Sequence, residues 1–174
     1  SGALGQSAMF AYIAGGPFVF MQVFGLSTTQ FGWLFGFNAL GLIGASQINH
    51  ALLRRVSSEV LLGRALRSLT VWAAAMLASA ALNVGGFWGV AIPLFLALSS
   101  LGFSFPNATA LALAHQTGRV GSAAALIGSI QFTLASLSGT AVGLFAKPSA
   151  APMAAVFCLF ACLALGAHRR LVPR

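Results

Sequence analysis

The sequence has very little charge, and almost none of it is negative. Only 6% of its 174 residues are charged, and Glu59 is the single acidic residue. A soluble domain carries about 25% charged residues, so this chain has too few to cover a surface in water. Apolar residues make up 59% of the chain, and the mean hydropathy is +0.93. These values exclude a soluble globular protein and predict an all-α membrane protein.

The scarcity of acids also restricts the chemistry that the chain can perform. There is no Asp for a Ser-His-Asp triad, and Glu59 falls between predicted spans, where it cannot serve a carboxylate proton relay inside the membrane. We therefore predict that the chain is not an enzyme and binds no cofactor. Cys158 and Cys162 are four residues apart in an apolar run. A helix holds their Cβ atoms too far apart for a disulfide, so we expect both to be packing residues.

The basic residues lie between long apolar runs rather than on one soluble face. The net charge of +8 is therefore not interpreted as nucleic-acid binding. Sorting the nine basic residues by predicted loop leaves Lys147 alone on one side and eight on the other. The positive-inside rule then places both termini in the cytoplasm. His50, His115 and His168 lie near predicted helix ends on the same side, so we expect no metal site. The eight are Arg54, Arg55, Arg64, Arg67, Arg119, Arg169, Arg170 and Arg174.

Six apolar runs are long enough to cross a hydrocarbon core of about 30 Å, and they predict one transmembrane domain over residues 1–170. Pro93 and Pro106 predict a kink or tilt in the fourth span. Gly15-Gly16-Pro17 predicts a break in the first. Residues 171–174 are either a natural tail or the left half of a thrombin linker. The predicted spans are 3–24, 29–53, 60–83, 87–114, 121–146 and 150–167.

Small and uncharged polar residues recur inside the spans. The pairs Gly32/Gly36 and Gly139/Gly143 are small-xxx-small motifs, which we expect to pack within the chain rather than form a dimer face. For the polar residues, lining of a cavity and hydrogen bonding between helices both remain open, and we favour a cavity for the set. The cavity interpretation predicts that Tyr12, Asn107 and Gln131 lie on a common face that no other helix of the chain covers. At 100° per residue, faces are shared by Ser100, Ser104 and Asn107, by Asn38, Ala45 and Asn49, and by Gly128, Gln131, Ala135 and Ser138.

Four stretches of the chain carry a recognisable pattern, and they run from residue 9 to residue 132. They are 9–13 (MFAYI) with 17–19 (PFV), 31–35 (FGWLF) with 38–41 (NALG), 105–108 (FPNA) with 110–113 (ALAL), and 121–128 (GSAAALIG) with 131–132 (QF). In this order they resemble the C-terminal half of bicyclomycin-resistance (Bcr/CflA) type exporters, a branch of the major facilitator superfamily. The resemblance weakens in the sixth span.

The resemblance implies that the six spans correspond to the last six helices of a twelve-helix transporter, arranged as a 3+3 inverted repeat. It also implies that spans one, two, four and five face the central cavity, and these are the spans that contain the polar residues. Aromatic residues there are expected to stack on planar drugs, and amides to hydrogen-bond them. The residues carried over as cavity positions are Tyr12, Pro17, Asn38, Phe105, Asn107 and Gln131.

The function implied by the resemblance is proton-coupled efflux of small lipophilic drugs across the bacterial inner membrane by alternating access. The proton is the expected coupling ion, and acidic residues of an N-terminal half would carry it. The implied partners are membrane lipid, drug-like substrates, and an N-terminal six-helix half or a second copy of this chain. An alternative remains open, in which the chain is a non-transporting structural or assembly subunit whose polar residues only join helices.

Overall fold

The computed structural model describes residues 1–114, 120–144 and 149–171. These residues form six helices that are long and apolar enough to cross a membrane, and the predicted six-helix membrane fold is confirmed. An even number of spans places both ends of the domain on the same side of the membrane. The helices are α1 (Gly2–Pro17), α2 (Thr28–Leu52), α3 (Ser58–Leu82), α4 (Gly86–Leu113), α5 (Val120–Leu144) and α6 (Ala151–Leu171).

The helix ends lie close to the limits predicted from apolar run length. Every start falls within two residues of the prediction, and so do five of the six ends when the π-helical continuation of α1 to Val23 is counted. Helix α6 extends four residues further, to Leu171. Its last turn contains His168, Arg169 and Arg170, whose long side chains can reach the polar interface while the backbone stays helical. Helix α4 continues through both Pro93 and Pro106.

The predicted break in the first span is wrong. Helix α1 continues through Pro17 and then widens into a π-helical segment, Phe18–Val23, in which the Phe24 N–H donates to the Val19 carbonyl at 3.1 Å. A π-helical turn takes up the irregularity that proline introduces without ending the helix. Gly15 serves close packing instead, since a Cβ there would lie 2.9 Å from side-chain atoms of Met153 and Val142.

The helices pack as two interleaved sets of three. Helix α1 packs on α5 and α6 of the second set, while α4 packs on α2 and α3 of the first set. Contacts between α1 and α4 and between α3 and α6 join the two sets. Because successive spans cross the membrane in opposite directions, α1 and α4 run antiparallel. The contact pattern is therefore the 3+3 inverted repeat that the resemblance implies.

A glycine of α4, Gly102, lets α2 and α4 approach closely, and it is not one of the glycines that the sequence favoured for packing. A Cβ on Gly102 would collide with the Leu42 carbonyl oxygen and lie 2.9 Å from the Ala45 Cβ. Among the residues that the structure describes, a Cβ on Gly32, Gly36 or Gly143 would meet nothing within 4 Å. The internal packing predicted for those three is wrong, since spacing alone does not tell which face of a helix is covered. Gly139 does pack, because its Cβ would lie 3.6 Å from the Ala14 Cβ.

Candidate substrate-binding surface

Helices α2 and α5 are far less covered than the two helices they pack on. In an apolar stretch of 18 residues taken from each helix, 11% of the residues of α2 and 6% of those of α5 are buried. The corresponding share is 50% for both α1 and α4. Helix α2 rests mainly on α4, and α5 rests mainly on α1. One large face of each helix is therefore left without a protein neighbour within the described part of the chain.

The uncovered face of α5 carries a row of hydroxyl side chains. All five are exposed, and at 100° per residue they fall within about 60° of one another. The Ser129 Oγ donates to the Ala125 carbonyl at 3.0 Å and the Thr133 Oγ1 to the Ser129 carbonyl at 2.8 Å, which leaves their oxygens able to accept further bonds. We call this row the hydroxyl stripe: Ser122, Ser129, Thr133, Ser136 and Thr140.

The prediction from sequence chose the opposite face of α5. Ala135 and Ser138 are buried, and the Ser138 Oγ donates to the Ser7 carbonyl of α1 at 2.7 Å, so that face joins α5 to α1. The signal that was missed is the run of Ser and Thr at helical spacing from Ser122 to Thr140. Ser and Thr are common in membrane helices, so the amide of Gln131 was the stronger polar signal on α5.

The uncovered face of α2 is apolar and rich in aromatic residues. Trp33 is 78% exposed and Leu40 is 67% exposed, and both share this face with Phe37, Gly44 and Gln47. The Phe37 ring stacks on Phe95 of α4 with 4.7 Å between ring centroids. We call these five residues the aromatic face of α2. Two unlike surfaces thus flank the centre of the bundle.

A groove of about 280 Å³ runs between α1 and α2 over Leu98 of α4, and we call it the α1–α2 groove. Tyr12 and Asn38 lie at its floor, where the Asn38 Nδ2 donates to the Tyr12 hydroxyl at 3.2 Å. The Tyr12 ring stacks on Phe35 with 5.8 Å between centroids. The structure thus brings together two of the six residues predicted to face a cavity.

The amide of Asn38 is not fully satisfied. Its Oδ1 is buried and has no hydrogen-bond partner within the described residues. Rotating the amide by 180° would let Oδ1 accept from the Tyr12 hydroxyl, and it would then leave Nδ2 without its present partner. A buried unpaired polar atom is costly away from water. The groove exposes only apolar atoms, so the Asn38 Oδ1 lies behind its surface, and a ligand would reach it only after the Asn38 or Tyr12 side chain turned.

Asn107 lies elsewhere, between α2 and α4. Its Nδ2 donates to the Asn49 Oδ1 and to the Phe103 carbonyl, both at 2.7 Å, while its own Oδ1 is buried and has no partner within the described residues. On α4, the Ser100 Oγ lies 2.9 Å from the Ser68 Oγ of α3. For these residues the geometry favours hydrogen bonding between helices, which was one of the two interpretations left open by the sequence.

The common uncovered face predicted for Tyr12, Asn107 and Gln131 is wrong. Tyr12 and Asn107 are each at most 2% exposed, in separate interhelical contacts. Gln131 is half-buried and lines a different cavity of about 420 Å³, near the first residues of α1 and the last turn of α6. A helical wheel for one span gives its faces but not which neighbour covers them. Pro17 is exposed and Phe105 is half-buried, and a substrate contact for any of the six stays a prediction.

His50 and His168 lie in the last turns of two different helices, α2 and α6. His50 is exposed near the end of α2, and His168 is half-buried against Gly63 of α3. Within the described residues, no group of three or more His, Cys, Asp or Glu is placed to hold a metal ion. Cys158 and Cys162 are free thiols on α6. His115, Arg119, Lys147 and Arg174 lie outside the described residues, so the sequence-based predictions for them stay untested.

Comparison with known proteins gives two relatives of this chain. It is 30% identical over 157 residues to a bicyclomycin resistance protein homolog of Haemophilus influenzae, which covers 90% of this chain and 39% of that protein. It is 31% identical over 147 residues to YdgK, an uncharacterized MFS-type transporter of Bacillus subtilis, which covers 84% of this chain and 36% of that protein.

The chain spans about two fifths of the length of these relatives. No family model matches it, and no solved structure matches it. The six membrane-length helices, their interleaved packing and both relatives agree with the C-terminal half expected from the sequence. They identify the chain as a six-helix half of a major facilitator superfamily protein, similar to bicyclomycin-resistance transporters.

Proposed function

We propose that this chain is the C-terminal half of a proton-coupled multidrug exporter and forms one wall of its central substrate cavity. The observation that carries the proposal is the α1–α2 groove, which has an unpaired buried amide atom at its floor and lies beside the uncovered face of α2. A relative named for bicyclomycin resistance supports drug efflux as the activity. We expect alternating access, with two halves moving around a site between them.

The lining of the groove indicates what kind of molecule it takes. The Phe35 ring, which is 43% exposed and stacks on the buried Tyr12 ring, presents a flat apolar surface, and Met9 and Ile13 extend it. The Asn38 Oδ1 has no partner among the described residues, so it is able to accept a hydrogen bond, and it carries no full charge. We therefore expect a small lipophilic substrate with a planar part that packs on Phe35 and one N–H or O–H that bonds to Asn38 once its side chain turns toward the groove.

The second half of the transporter is expected to cover the aromatic face of α2 and the hydroxyl stripe of α5. A hydroxyl stripe facing acyl chains gains little, whereas across a protein interface the same oxygens accept hydrogen bonds from another helix. The occupant is an N-terminal six-helix half or a second copy of this chain. Both faces flank α1 and α4, so a partner seated on them would enclose a cavity over the α1–α2 groove.

Proton coupling is expected to use carboxylates of the other half. The one acid of this chain, Glu59, is in the first turn of α3, near the end of a span. We accordingly expect the chain to have no enzymatic activity and no bound cofactor. The eight arginines assigned to one side of the membrane favour a bacterial inner-membrane location with both termini in the cytoplasm.

The test is a drug-susceptibility and efflux assay in cells that lack their own major exporters. The chain is expressed alone and together with the N-terminal half of a related exporter, and we expect resistance only from the pair. Asn38→Leu should lower that resistance about tenfold, the effect of losing one buried hydrogen bond to substrate. Asn49→Leu is the matched control, since Asn49 is an equally buried amide of α2 that does not line the groove.

Equal loss in the two variants would contradict a substrate role for Asn38. If the pair confers no resistance although both halves are correctly inserted, the proposal of a transporter half is wrong and a structural subunit becomes the better explanation.

A further inference from the structure

A second groove lies between α3 and α4, on the far side of α4 from the α1–α2 groove. Its volume is about 380 Å³, and we call it the α3–α4 groove. Apolar side chains from both helices line most of it, including Leu61, Trp72, Leu96 and Phe103. Arg64 is the one charged residue of its lining.

The groove is polar at one end and apolar toward the middle of the membrane. Arg64 is in the second turn of α3, and Trp72 is eight residues further along the helix. At 1.5 Å per residue, Trp72 lies about 12 Å deeper in the membrane than Arg64. Ser68, Ser99 and Ser100 line the groove between these two depths. The order of a cation, hydroxyl groups and apolar side chains matches an amphiphile with an anionic head, polar ester groups and an acyl chain.

Arg64 has no acidic side chain as a partner among the described residues. The single acid, Glu59, is five residues earlier on α3, which places it about 140° away around the helix. Glu59 shares a face with Gly63, where a Cβ would lie 3.1 Å from the His168 Nε2 of α6. Arg64 instead shares a face with Ser68, whose hydroxyl contacts Ser100 of α4. A cation within a membrane helix needs an anion or water at its head, and the described part of the chain supplies no anion here.

We propose that the α3–α4 groove binds one anionic phospholipid, with its phosphate at Arg64 and an acyl chain along Trp72 and Leu96. Zwitterionic lipids also carry a phosphate, but Arg54 and Arg55 come two and three residues after Leu52, which lines the same groove. Both arginines are exposed and add positive charge at this end, which favours a lipid of net negative charge. The proposal concerns lipid binding and does not depend on the transport function.

Trp72 provides a direct readout of the groove. In a variant with Trp33→Phe and Trp88→Phe, both at exposed positions, Trp72 is the only tryptophan left. The purified chain is placed in phosphatidylcholine vesicles that contain either brominated phosphatidylglycerol or brominated phosphatidylcholine, whose bromine atoms quench nearby tryptophan. We expect phosphatidylglycerol to occupy the site about fivefold more strongly than phosphatidylcholine, the factor that one cation near the membrane surface contributes.

Substitutions on α3 separate the groove from general surface charge. Arg64→Gln should remove the preference for phosphatidylglycerol, and Arg64→Lys should keep most of it. Arg67→Gln is the matched control. Arg67 lies one helical turn after Gly63, on the face of α3 that packs on α6, so the preference for phosphatidylglycerol should survive.

Equal quenching by the two brominated lipids in the Trp72 variant would overturn the proposal, and that comparison needs no change at Arg64. Equal loss of preference in Arg64→Gln and Arg67→Gln would also overturn it, because attraction to the whole basic surface would then explain the result.

Discussion

The two sides of the helix bundle differ in what they leave uncovered. On the side of α3 and α6, the exposed residues in the middle of the helices are apolar, as at Val71, Ala78, Leu159 and Leu163. On the side of α2 and α5, the exposed faces mix aromatic rings and glycine with the hydroxyl stripe. In a membrane, apolar exposure does not distinguish a lipid contact from a protein contact. The polar and small residues among the exposed ones are what mark the side expected to meet protein.

The largest effect is expected where a glycine lies at a covered face. Gly102→Ala adds a Cβ that collides with the Leu42 carbonyl oxygen, and we expect it to lower the free energy of unfolding by about 1–3 kcal/mol. In Gly36→Ala the added Cβ meets no described residue, and the free energy of unfolding should change by less than about 0.5 kcal/mol. Unfolding of the purified chain by SDS in mild detergent measures both. Similar losses would mean that α2 is covered on both faces.

A bulky residue tests whether the two sides meet different surroundings. Thr133→Phe places a ring on the hydroxyl stripe and should lower the resistance conferred by the paired halves about tenfold, by obstructing the second half. Val71→Phe places the same ring on the exposed face of α3, at a residue that is 62% exposed, and should leave resistance unchanged. Drug susceptibility with both proteins at equal membrane levels is the measurement. A harmless Thr133→Phe would indicate that lipid covers the stripe.

The smallest effect is expected from the amide pair that joins α2 to α4. A double-mutant cycle with Asn49→Leu, Asn107→Leu and the double variant should give a coupling of about 0.6 kcal/mol, and no more than about 1.7 kcal/mol. The same SDS titration measures it. A coupling near zero would mean that the bond between the Asn107 Nδ2 and the Asn49 Oδ1 does not stabilise the contact of α2 with α4. The close packing at Gly102 would then be what holds the two helices together.

The helices themselves were predictable from the sequence. Six runs of membrane length gave starts within two residues, because crossing a bilayer sets a minimum apolar length that turns and charges interrupt. Local sequence also stabilises the turn between α1 and α2. The Ser27 Oγ accepts from the Gln30 N–H at 3.2 Å, and the Gln30 side chain accepts from the Ser27 N–H at 2.9 Å.

The pairing of helix faces was not predictable in the same way. Tyr12 and Asn38 were both chosen as cavity residues, but their contact depends on how α1 and α2 approach each other over α4. Gln131 and the hydroxyl stripe lie on opposite faces of α5, and the helical wheel gave no reason to prefer the stripe. For Gly36 and Gly102 the local sequence is equally compatible with packing, and only the tertiary structure shows that Gly102 is the covered one.

The central claim is that the side formed by α2 and α5 meets a second six-helix half. It is tested most directly by spin labels on single cysteines, Ser129→Cys and Leu159→Cys, in a variant with Cys158→Ala and Cys162→Ala. Collisions with dissolved oxygen report how much lipid surrounds each label, and the chain is measured alone and paired with the second half. We predict that pairing shields the label at Ser129 and leaves the label at Leu159 unchanged. An unchanged accessibility at Ser129 on pairing would contradict the account.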